Sequence, residues 1–438
     1  MEDIYEGKIR DYLKNSYNFL ITGPAGSGKS RIIQKIQKII CEGKSFFEKF
    51  VVTGTTGIAS LLANGVTINS WSGFGIELDY NILINKITKR SHLKKRWLNT
   101  EILIIDEASM LTKELFDLLD IVGRIIRQKS HLPFGGIQVI LVGDFYQLPP
   151  VNKTNKGTTP FCFTSDRWDT CITHYVLLTK IYRQLDPKFQ TCLNEIRKGK
   201  CTDETYELLK ECTNKQLIDS DIKPTLLYPH KAKVDSINLE NLKNLNTTIN
   251  IHKSEDVCTN NLNYAEKEML LDKLDKNTNF IKELKLAVGA QVVLIINLDQ
   301  EKGLVNGSRG IVLRYSEDYN PIIKFSNNTI IEITKQPIEV KLDTSTKLKA
   351  IKRFQYPLQL AWCLTIHKSQ GMSLDLIEID IGNKIFEYGQ TYVALSRVRT
   401  LEGLYITNID RDKIKAHPLV KKFYKKIKKL NKKNETEC

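Results

Sequence analysis

The sequence lacks the cysteine pattern of a disulfide framework or of a zinc site. Its nine cysteines are odd in number, scattered over 438 residues, and include no C-x-x-C pair. Disulfide-stabilised domains are usually short and dense in paired cysteines, and structural zinc sites need closely spaced thiol or imidazole ligands. We therefore expect free thiols in a reducing compartment.

Long hydrophobic runs are missing as well. No apolar stretch approaches the ~20 residues that a membrane-spanning helix needs, and no signal peptide opens the sequence. We therefore expect a soluble, intracellular protein with no membrane partner. The sequence does not separate the nucleus, an organelle and a viral replication site as its location.

Acidic residues are outnumbered by basic ones. The sequence has 65 Lys and Arg against 50 Asp and Glu, which gives a formal net charge of +15. A basic surface attracts phosphate backbones at long range, although the same excess can serve solubility alone. The charge therefore favours a polyanionic partner, and the length leaves room for more than one domain.

The most informative stretch is residues 18–30, which read NFLITGPAGSGKS. A short apolar strand runs into a glycine-rich loop, and an amphipathic helix follows; this is the context that a P-loop requires. In such a loop, backbone N–H groups and the helix N-terminus surround phosphate oxygens. The predicted nucleotide-binding residues are Gly23, Pro24, Ala25, Gly26, Ser27, Gly28, Lys29 and Ser30.

Side chains at three places in the first half of the chain supply chemistry. In the P-loop, Lys29 is predicted to reach the outer phosphates and the Ser30 hydroxyl to ligate Mg²⁺. Residues 101–107 read EILIIDE, a buried parallel strand that ends in two acids at the sheet edge where ligands bind. Asp106 is predicted to hold Mg²⁺, and Glu107 to polarise the attacking water.

The third place follows another buried strand, at residues 137–142. Two prolines end this strand in the segment GDFYQLPP and leave Gln147 at the same sheet edge. A neutral amide at that position could sense the γ-phosphate of a bound nucleotide.

The remaining pattern divides the second half of the chain. From residue 284 to about 347, alternating strands are separated by turns such as Asn306-Gly307, which predicts a small antiparallel barrel. The α/β pattern returns at residue 357. A lysine-rich tail starts at Pro418, and its apolar residues predict a helix that packs by one face: Val420, Phe423, Tyr424, Ile427 and Leu430. A basic helical segment, residues 80–97, either contacts DNA or is a solvated face.

Seven segments in this order resemble the motifs of the PIF-type (petite integration frequency) DNA helicases of superfamily one, relatives of the RecD group. The resemblance covers nearly the whole chain, and LVNGSRG at 304–310 is similar to a turn in that family's inserted barrel. The seven segments are GPAGSGKS, TTGIAS, IIDEASM, VGDFYQLPPV, YRQ, TIHKSQGMSL and YVALSRVR.

The resemblance implies an α/β fold with two RecA-like P-loop NTPase cores, each a parallel sheet flanked by helices, and a small inserted antiparallel SH3-like β-barrel. The implied domains are a first core at 1–180 with an insertion at about 64–100, a second core at 181–283 and 351–415, the barrel at 284–350, and a lysine-rich helix or tail at 416–438.

The resemblance also implies an activity, that of an ATP- and Mg²⁺-dependent DNA helicase. Such a motor moves 5′ to 3′ on single-stranded DNA and unwinds duplex at junctions, in replication, repair or recombination. It would act as a monomer, with replication or repair proteins as further partners. Arg183 and Arg397 would be arginine fingers on the γ-phosphate.

A further set of residues is implied to lie along the DNA: Thr56, Ser70, Trp71, His367 and Ser369. Trp71 could stack on a base, or it could be a core aromatic residue. His367 could instead be a structural histidine.

The sequence departs from the family pattern in three ways. No glutamine precedes Gln34, although the family reads adenine with a glutamine upstream of the P-loop, so we expect weak base selectivity. Asn69 stands where the family usually has histidine. The regulatory N-terminal extension of many members is missing, which suggests a bare motor core.

Three other functions compete with the helicase. They are a RecD-like motor subunit of a nuclease complex, an oligomeric clamp-loader or ring-type ATPase whose arginine finger comes from a neighbour, and a scaffold that binds nucleic acid without hydrolysis. Both arginine-bearing motifs lie within this one chain, which favours a complete site in a single chain.

Overall fold

The computed structural model describes residues 3–42, 49–57, 66–74, 79–150, 161–213, 215–216, 220–259, 262–341 and 350–436. The chain divides into two compact units. The first comprises Met1–Tyr182 together with Ala416–Cys438, and the second comprises Arg183–Lys415. The first unit is therefore built from both ends of the chain.

A six-stranded parallel sheet forms the centre of the first unit. Its order is β3-β2-β4-β5-β1-β6, and every neighbouring pair is parallel. The strands are β1 (Phe19–Thr22), β2 (Phe50–Gly54), β3 (Val66–Thr67), β4 (Ile102–Asp106), β5 (Gln138–Gly143) and β6 (His174–Leu177). Every residue of β1 and of β5 is buried, as expected for a sheet covered on both faces. This confirms the predicted parallel α/β fold.

Helices cover this sheet because alternate residues of each strand point to opposite faces. Phe19 and Ile21 pack with Ile36 of the helix after the P-loop, whereas Leu20 packs in a second cluster with Phe116. The helices that precede the second unit are α1 (Asp3–Lys14), α2 (Lys29–Glu42), α3 (Ile68–Ser72), α4 (Tyr80–Lys89), α5 (Ser91–Asn99), α6 (Lys113–Ile126) and α7 (Trp168–Cys171), with 3₁₀ turns at Ala108–Met110, Pro133–Gly136 and Cys162–Thr164.

The second unit contains a smaller parallel sheet and three antiparallel ones. Its strands are β7 (Thr225–Tyr228), β8 (Asn250–Lys253), β9 (Glu255–Cys258), β10 (Glu283–Leu286), β11 (Gln291–Leu294), β12 (Arg309–Tyr315), β13 (Pro321–Phe325), β14 (Ile330–Glu332), β15 (Gln336–Lys341), β16 (Ala350–Gln355), β17 (Leu358–Leu360), β18 (Cys363–Thr365), β19 (Ile377–Ile381) and β20 (Leu404–Ile409). The parallel sheet has the order β18-β7-β19-β20.

The antiparallel strands of this unit extend beyond the predicted barrel. The five-stranded sheet has the order β14-β13-β12-β11-β17, so its last strand lies after residue 350. β9 pairs with β16, which pairs with β15, and β8 pairs with β10. The sequence around β8 and β9 has no pattern that predicts strands. Closure of these strands into an SH3-like barrel stays a prediction.

The helices of the second unit are α8 (Pro187–Arg197), α9 (Asp203–Glu211), α10 (Lys231–Asn244), α11 (Tyr264–Asn277) and α12 (Gln390–Leu395), with a 3₁₀ turn at Arg411–Lys413. The chain then returns to the first unit as α13 (Pro418–Thr436). Among the described residues, no helix is both long and apolar enough to cross a bilayer.

The apolar face of α13 packs as predicted, with one exception. Val420, Phe423, Tyr424 and Ile427 are buried, but Leu430 is 38% exposed, because Asn431 and not Leu430 takes the next buried position on that face. The lysines between them are exposed: Lys421, Lys422, Lys425, Lys426, Lys428 and Lys429.

A buried arginine joins three elements of the second unit. The Arg353 side chain on β16 is fully buried and donates two hydrogen bonds to the Asp256 carboxylate on β9, both at 2.7 Å. It also donates to Asp275 on α11 at 2.8 Å and to the Phe280 carbonyl at 3.0 Å. These bonds compensate the cost of removing the guanidinium from water.

We expect Arg353→Ala to lower the free energy of unfolding by about 3–5 kcal/mol, because it removes four hydrogen bonds and the arginine partner of Asp256, although Asp275 keeps its ion pair with Lys282. Chemical denaturation measures this loss. Lys335→Ala is the control, since it breaks only the partly exposed pair with Glu255, worth about 0–1 kcal/mol. Equal losses in the two variants would contradict the structural role of Arg353.

Candidate active site

The strand order brings three predicted segments to one edge of the first sheet. β4, β5 and β1 are consecutive neighbours, with Thr22 opposite Gly143 and Ile105 opposite Leu141. The P-loop follows β1, the acidic pair lies at the end of β4, and Gln147 follows β5. Because parallel strands end at a common edge, these segments lie beside one another where ligands bind in open α/β sheets.

The P-loop has the backbone of a phosphate cradle. Gly26 and Gly28 have φ of 75° and 84°, a region that glycine adopts without strain. A Cβ on Gly23 would lie 2.6 Å from the Cβ of Leu178, so a larger residue does not fit there. The Lys29 ammonium donates to the carbonyl oxygens of Gly23 at 2.8 Å and Pro24 at 2.9 Å.

Several groups of this loop suit a bound phosphate. The Ser27 hydroxyl is buried without a hydrogen-bond partner among the described residues. α2 begins at Lys29, so N–H groups of its first turn have no partner within the helix. Ser30 is exposed in that turn. The donors and the lysine fit a nucleotide phosphate chain.

The acidic pair at the end of β4 is held by its neighbours. The Glu107 N–H donates to Asp106 Oδ1 at 2.8 Å, and Glu107 adopts a φ of 53°, which is uncommon for a non-glycine residue. The Thr55 hydroxyl, after β2, donates to the Glu107 carbonyl at 2.9 Å. The turn that carries both carboxylates is therefore bonded to two strands.

Electrostatics at this edge favour a cation. Removal from water raises the pKa of Asp106 well above its ordinary value, and the Glu107 carboxylate raises it further, while the Glu107 N–H and the Lys29 charge lower it. A divalent ion would favour the ionised carboxylate. No three His, Cys, Asp or Glu side chains cluster within the described ranges, so a cation here would also need phosphate, hydroxyl or water ligands.

Gln147 is placed by the segment after β5. Its N–H donates to the Asp144 carbonyl at 2.9 Å, and its side chain is almost fully buried. The Asp144 carboxylate is also buried and accepts from the Tyr146 N–H at 3.2 Å and from the Tyr424 hydroxyl at 3.0 Å. The sequence pattern did not indicate a contact between Asp144 and Tyr424. It predicted Tyr424 only as a residue on the packed face of the lysine-rich helix.

The two predicted arginine fingers meet within the second unit. Arg183 Nη1 donates to the Ser396 carbonyl at 2.9 Å, and Arg397 Nη2 donates to the Ser396 hydroxyl at 2.7 Å. Arg397 is buried and also donates to the Val393 carbonyl at 2.8 Å. Their roles as fingers stay predictions.

The predicted DNA residues have different environments. Trp71 is fully buried, with its ring 4.6 Å from that of Trp97, so this conformation is that of the core-aromatic alternative. Ser369 is buried too, and its hydroxyl donates to the Ile366 carbonyl at 2.8 Å. The remaining three are partly buried: Thr56, Ser70 and His367. Burial lowers the pKa of His367, which favours its neutral form.

The basic segment at 80–97 is only partly a solvated face. Arg96 is buried and donates through Nη1 to the carbonyl oxygens of Ser70 and Trp71, each at 2.8 Å. Lys86 donates to the Gly73 carbonyl at 2.7 Å. These two cations therefore hold α3 in place, which the sequence pattern did not indicate.

The parallel sheet, the glycine-rich loop after β1 and the acids at the end of β4 define a P-loop NTPase fold. A family model described as PIF1-like helicase matches residues 2–207, and one described as DNA helicase Pif1, 2B domain, matches residues 269–315. The chain belongs to the PIF1-like helicase family, which confirms the resemblance found in the sequence.

Known relatives align with almost all of this chain. It is 36% identical over 414 residues to the ATP-dependent DNA helicase PIF1 of Xenopus laevis, and the match covers 94% of this chain but 62% of that protein. It therefore spans less than two thirds of this curated relative.

Two crystal structures of Pif1 helicases are similar along their full length. The Candida albicans protein is 32% identical with a TM-score of 0.75, covering 96% of this chain and 98% of that one. A Bacteroides protein in complex with ADP-AlF3 and single-stranded DNA is 31% identical with a TM-score of 0.64, covering 97% and 96%.

Close packing behind the acidic turn yields a test. A Cβ on Gly143, the last residue of β5, would lie 2.8 Å from the Ala108 backbone nitrogen, which cannot move without displacing the turn. We expect Gly143→Ala to lower the free energy of unfolding by about 1–3 kcal/mol. Denaturant titration measures it.

The matched control is Gly7→Ala in α1, where the added Cβ meets nothing within 4 Å. Because alanine favours helix, this variant should gain up to about 1 kcal/mol. If Gly143→Ala were as stable as Gly7→Ala, the close contact between β5 and the acidic turn would be wrong.

Proposed function

We propose that this chain is an ATP-dependent DNA helicase that moves 5′ to 3′ on single-stranded DNA and unwinds duplex at junctions. The observation that carries the proposal is the convergence of Lys29, Asp106, Glu107 and Gln147 at the ends of adjacent strands β1, β4 and β5. The similar Bacteroides Pif1 helicase, in complex with ADP-AlF3 and single-stranded DNA, supports the same ligands.

Each of the candidate site residues in the first unit has a distinct role in ATP hydrolysis. Lys29 and the N–H groups at the start of α2 hold the phosphates, and Ser30 and Asp106 would bind Mg²⁺, which neutralises charge on the phosphate oxygens. Glu107 orients and polarises the attacking water. Gln147, in the segment that follows β5, senses the presence of the γ-phosphate through its side-chain amide.

Arg183 and Arg397 supply the remaining positive charge. Charge develops on the γ-phosphate oxygens as the bond breaks, and a planar guanidinium stabilises it through two parallel donors. Their common contact with Ser396 supports a shared role, because one turn after α12 orients both side chains.

DNA contacts complete the proposal. The charge of +15 suits a phosphate backbone, and partly buried Thr56, Ser70 and His367 keep surface for it. Trp71 and Ser369 would act by supporting this surface in the conformation described here, since both are buried. We propose a monomeric motor in replication, repair or recombination; a RecD-like subunit is the alternative.

The direction of movement provides the test of the function. We expect the protein with ATP and Mg²⁺ to displace a strand from a duplex with a 5′ single-stranded tail and not from one with a 3′ tail. Lys29→Ala should abolish unwinding and ATP hydrolysis. It should still bind single-stranded DNA, because the proposed contact of Lys29 is with the nucleotide phosphates and not with DNA. Unwinding of the 3′-tailed duplex alone would exclude the proposed polarity, and full activity of Lys29→Ala would exclude the proposed site.

Arg397→Lys tests the finger on the second unit. We expect ATP hydrolysis to fall by roughly 10³-fold or more, because an ammonium cannot replace a bidentate guanidinium on the γ-phosphate. Steady-state hydrolysis with saturating single-stranded DNA measures this.

Arg353→Lys is the matched control, since Arg353 is equally buried in the same unit but bonds to Asp256 and Asp275. It should lose stability and keep hydrolysis. If folded Arg397→Lys hydrolysed ATP within about threefold of the parent, Arg397 would be a structural arginine and not a finger.

A further inference from the structure

The C-terminal helix reaches the nucleotide site through one hydroxyl group. The Tyr424 oxygen on α13 lies 2.5 Å from the Thr22 hydroxyl, 3.0 Å from Asp144 Oδ1 and 3.2 Å from the Phe145 nitrogen. Thr22 is the last residue of β1, directly before the P-loop, and Asp144 directly follows β5. Residues about 280 and 400 positions apart in sequence thus meet at one atom.

The hydrogen-bonding capacity of this hydroxyl is fully used. A phenol has one proton and two acceptor sites. The Asp144 carboxylate can only accept, so Tyr424 donates to it, and the Phe145 N–H and the Thr22 hydroxyl both donate to Tyr424. The geometry therefore specifies the direction of each bond.

Aromatic packing holds the hydroxyl in place. The Tyr424 ring stacks on that of Tyr146 with centroids 4.5 Å apart and an interplanar angle of 11°. The neighbouring Phe423 ring stacks on Phe163 at 4.4 Å and meets Phe145 edge-on at 5.3 Å. Since the Phe423 and Tyr424 rings are both buried, α13 cannot shift along the sheet edge without disrupting this aromatic packing.

Asp144 connects this hydroxyl to Gln147. The buried carboxylate accepts from Tyr424 and from the Tyr146 N–H, while its backbone carbonyl accepts from the Gln147 N–H. Loss of the Tyr424 donor would leave the buried Asp144 carboxylate with fewer hydrogen bonds, and we expect the turn that carries Gln147 to rearrange in compensation.

We propose that Tyr424 is a positioning residue for ATP hydrolysis. Its hydroxyl sets the distance between the P-loop, through Thr22, and Gln147, through Asp144. The returning helix is thereby part of the nucleotide site. This inference rests on the proposed function, in particular on the role of Gln147.

The experiment compares two variants that each remove one buried tyrosine hydroxyl from the first unit. Tyr424→Phe is the test. Tyr175→Phe is the control, because the Tyr175 hydroxyl on β6 accepts from Trp168 Nε1 at 3.3 Å and donates to the Ile172 carbonyl at 3.1 Å, and neither partner belongs to the P-loop or to the segment that carries Asp144 and Gln147. Thermal unfolding records the stability cost of each change.

For Tyr424→Phe we expect kcat of DNA-stimulated ATP hydrolysis to fall about tenfold, while KM for ATP and the affinity for single-stranded DNA stay within about twofold. Tyr175→Phe should keep kcat within about twofold of the parent despite a similar decrease in Tm. A purely structural role for Tyr424 predicts equal kcat values in the two variants, and this result would overturn the proposal.

A second comparison separates this inference from the proposed function. In a Gln147→Ala background, Tyr424→Phe should cause no further loss of kcat, because the hydroxyl acts through Gln147. An independent, multiplicative loss would overturn the proposal. If Gln147→Ala alone keeps full kcat, the proposed role of Gln147 is wrong and the inference falls with it.

Should Tyr424→Phe unfold at the assay temperature, Thr22→Val replaces it. This variant removes the bond between Thr22 and Tyr424 and leaves that to Asp144 in place. A decrease in kcat without a change in KM supports the proposal, and an unchanged kcat overturns it.

Discussion

The parallel pairing of β4, β5 and β1 is the constraint on which the candidate site depends. Each strand is followed by a different chemical segment, and the pairing places Thr22 opposite Gly143 and Ile105 opposite Leu141. A shift of one residue in this register would turn every buried side chain of the shifted strand to the other face. The apolar packing of both faces therefore positions the phosphate loop, the acids and the glutamine together.

Polar groups reinforce this arrangement where apolar packing ends. Thr55 holds the acidic turn from β2, and Tyr424 joins the ends of β1 and β5 from outside the sheet. Both contacts use hydroxyl groups at buried or half-buried positions, where an unsatisfied partner would be costly. The site is thus supported by neighbours that need not touch the nucleotide.

Buried arginines show why residue type alone does not assign a role. Arg353 and Arg397 are both almost completely buried in the second unit. Arg353 bonds to two carboxylates and to a carbonyl, an arrangement that holds strands and a helix together. Arg397 bonds to a serine hydroxyl and a carbonyl beside Arg183. Only the family resemblance predicts that Arg397 has a role different from that of Arg353.

The sequence by itself determined the class of fold and the family, and it predicts the residues of the nucleotide site, because the P-loop and the acidic strand are contiguous segments whose function requires a fixed local order. Tertiary structure alone decided that Trp71 and Arg96 are buried and that Asn250–Lys253 and Glu255–Cys258 form strands. It also decided that the C-terminal helix returns to the first unit and places Tyr424 against Asp144. These outcomes depend on contacts between segments far apart in the chain, and local periodicity records which face of an element is apolar but not which surface will cover it.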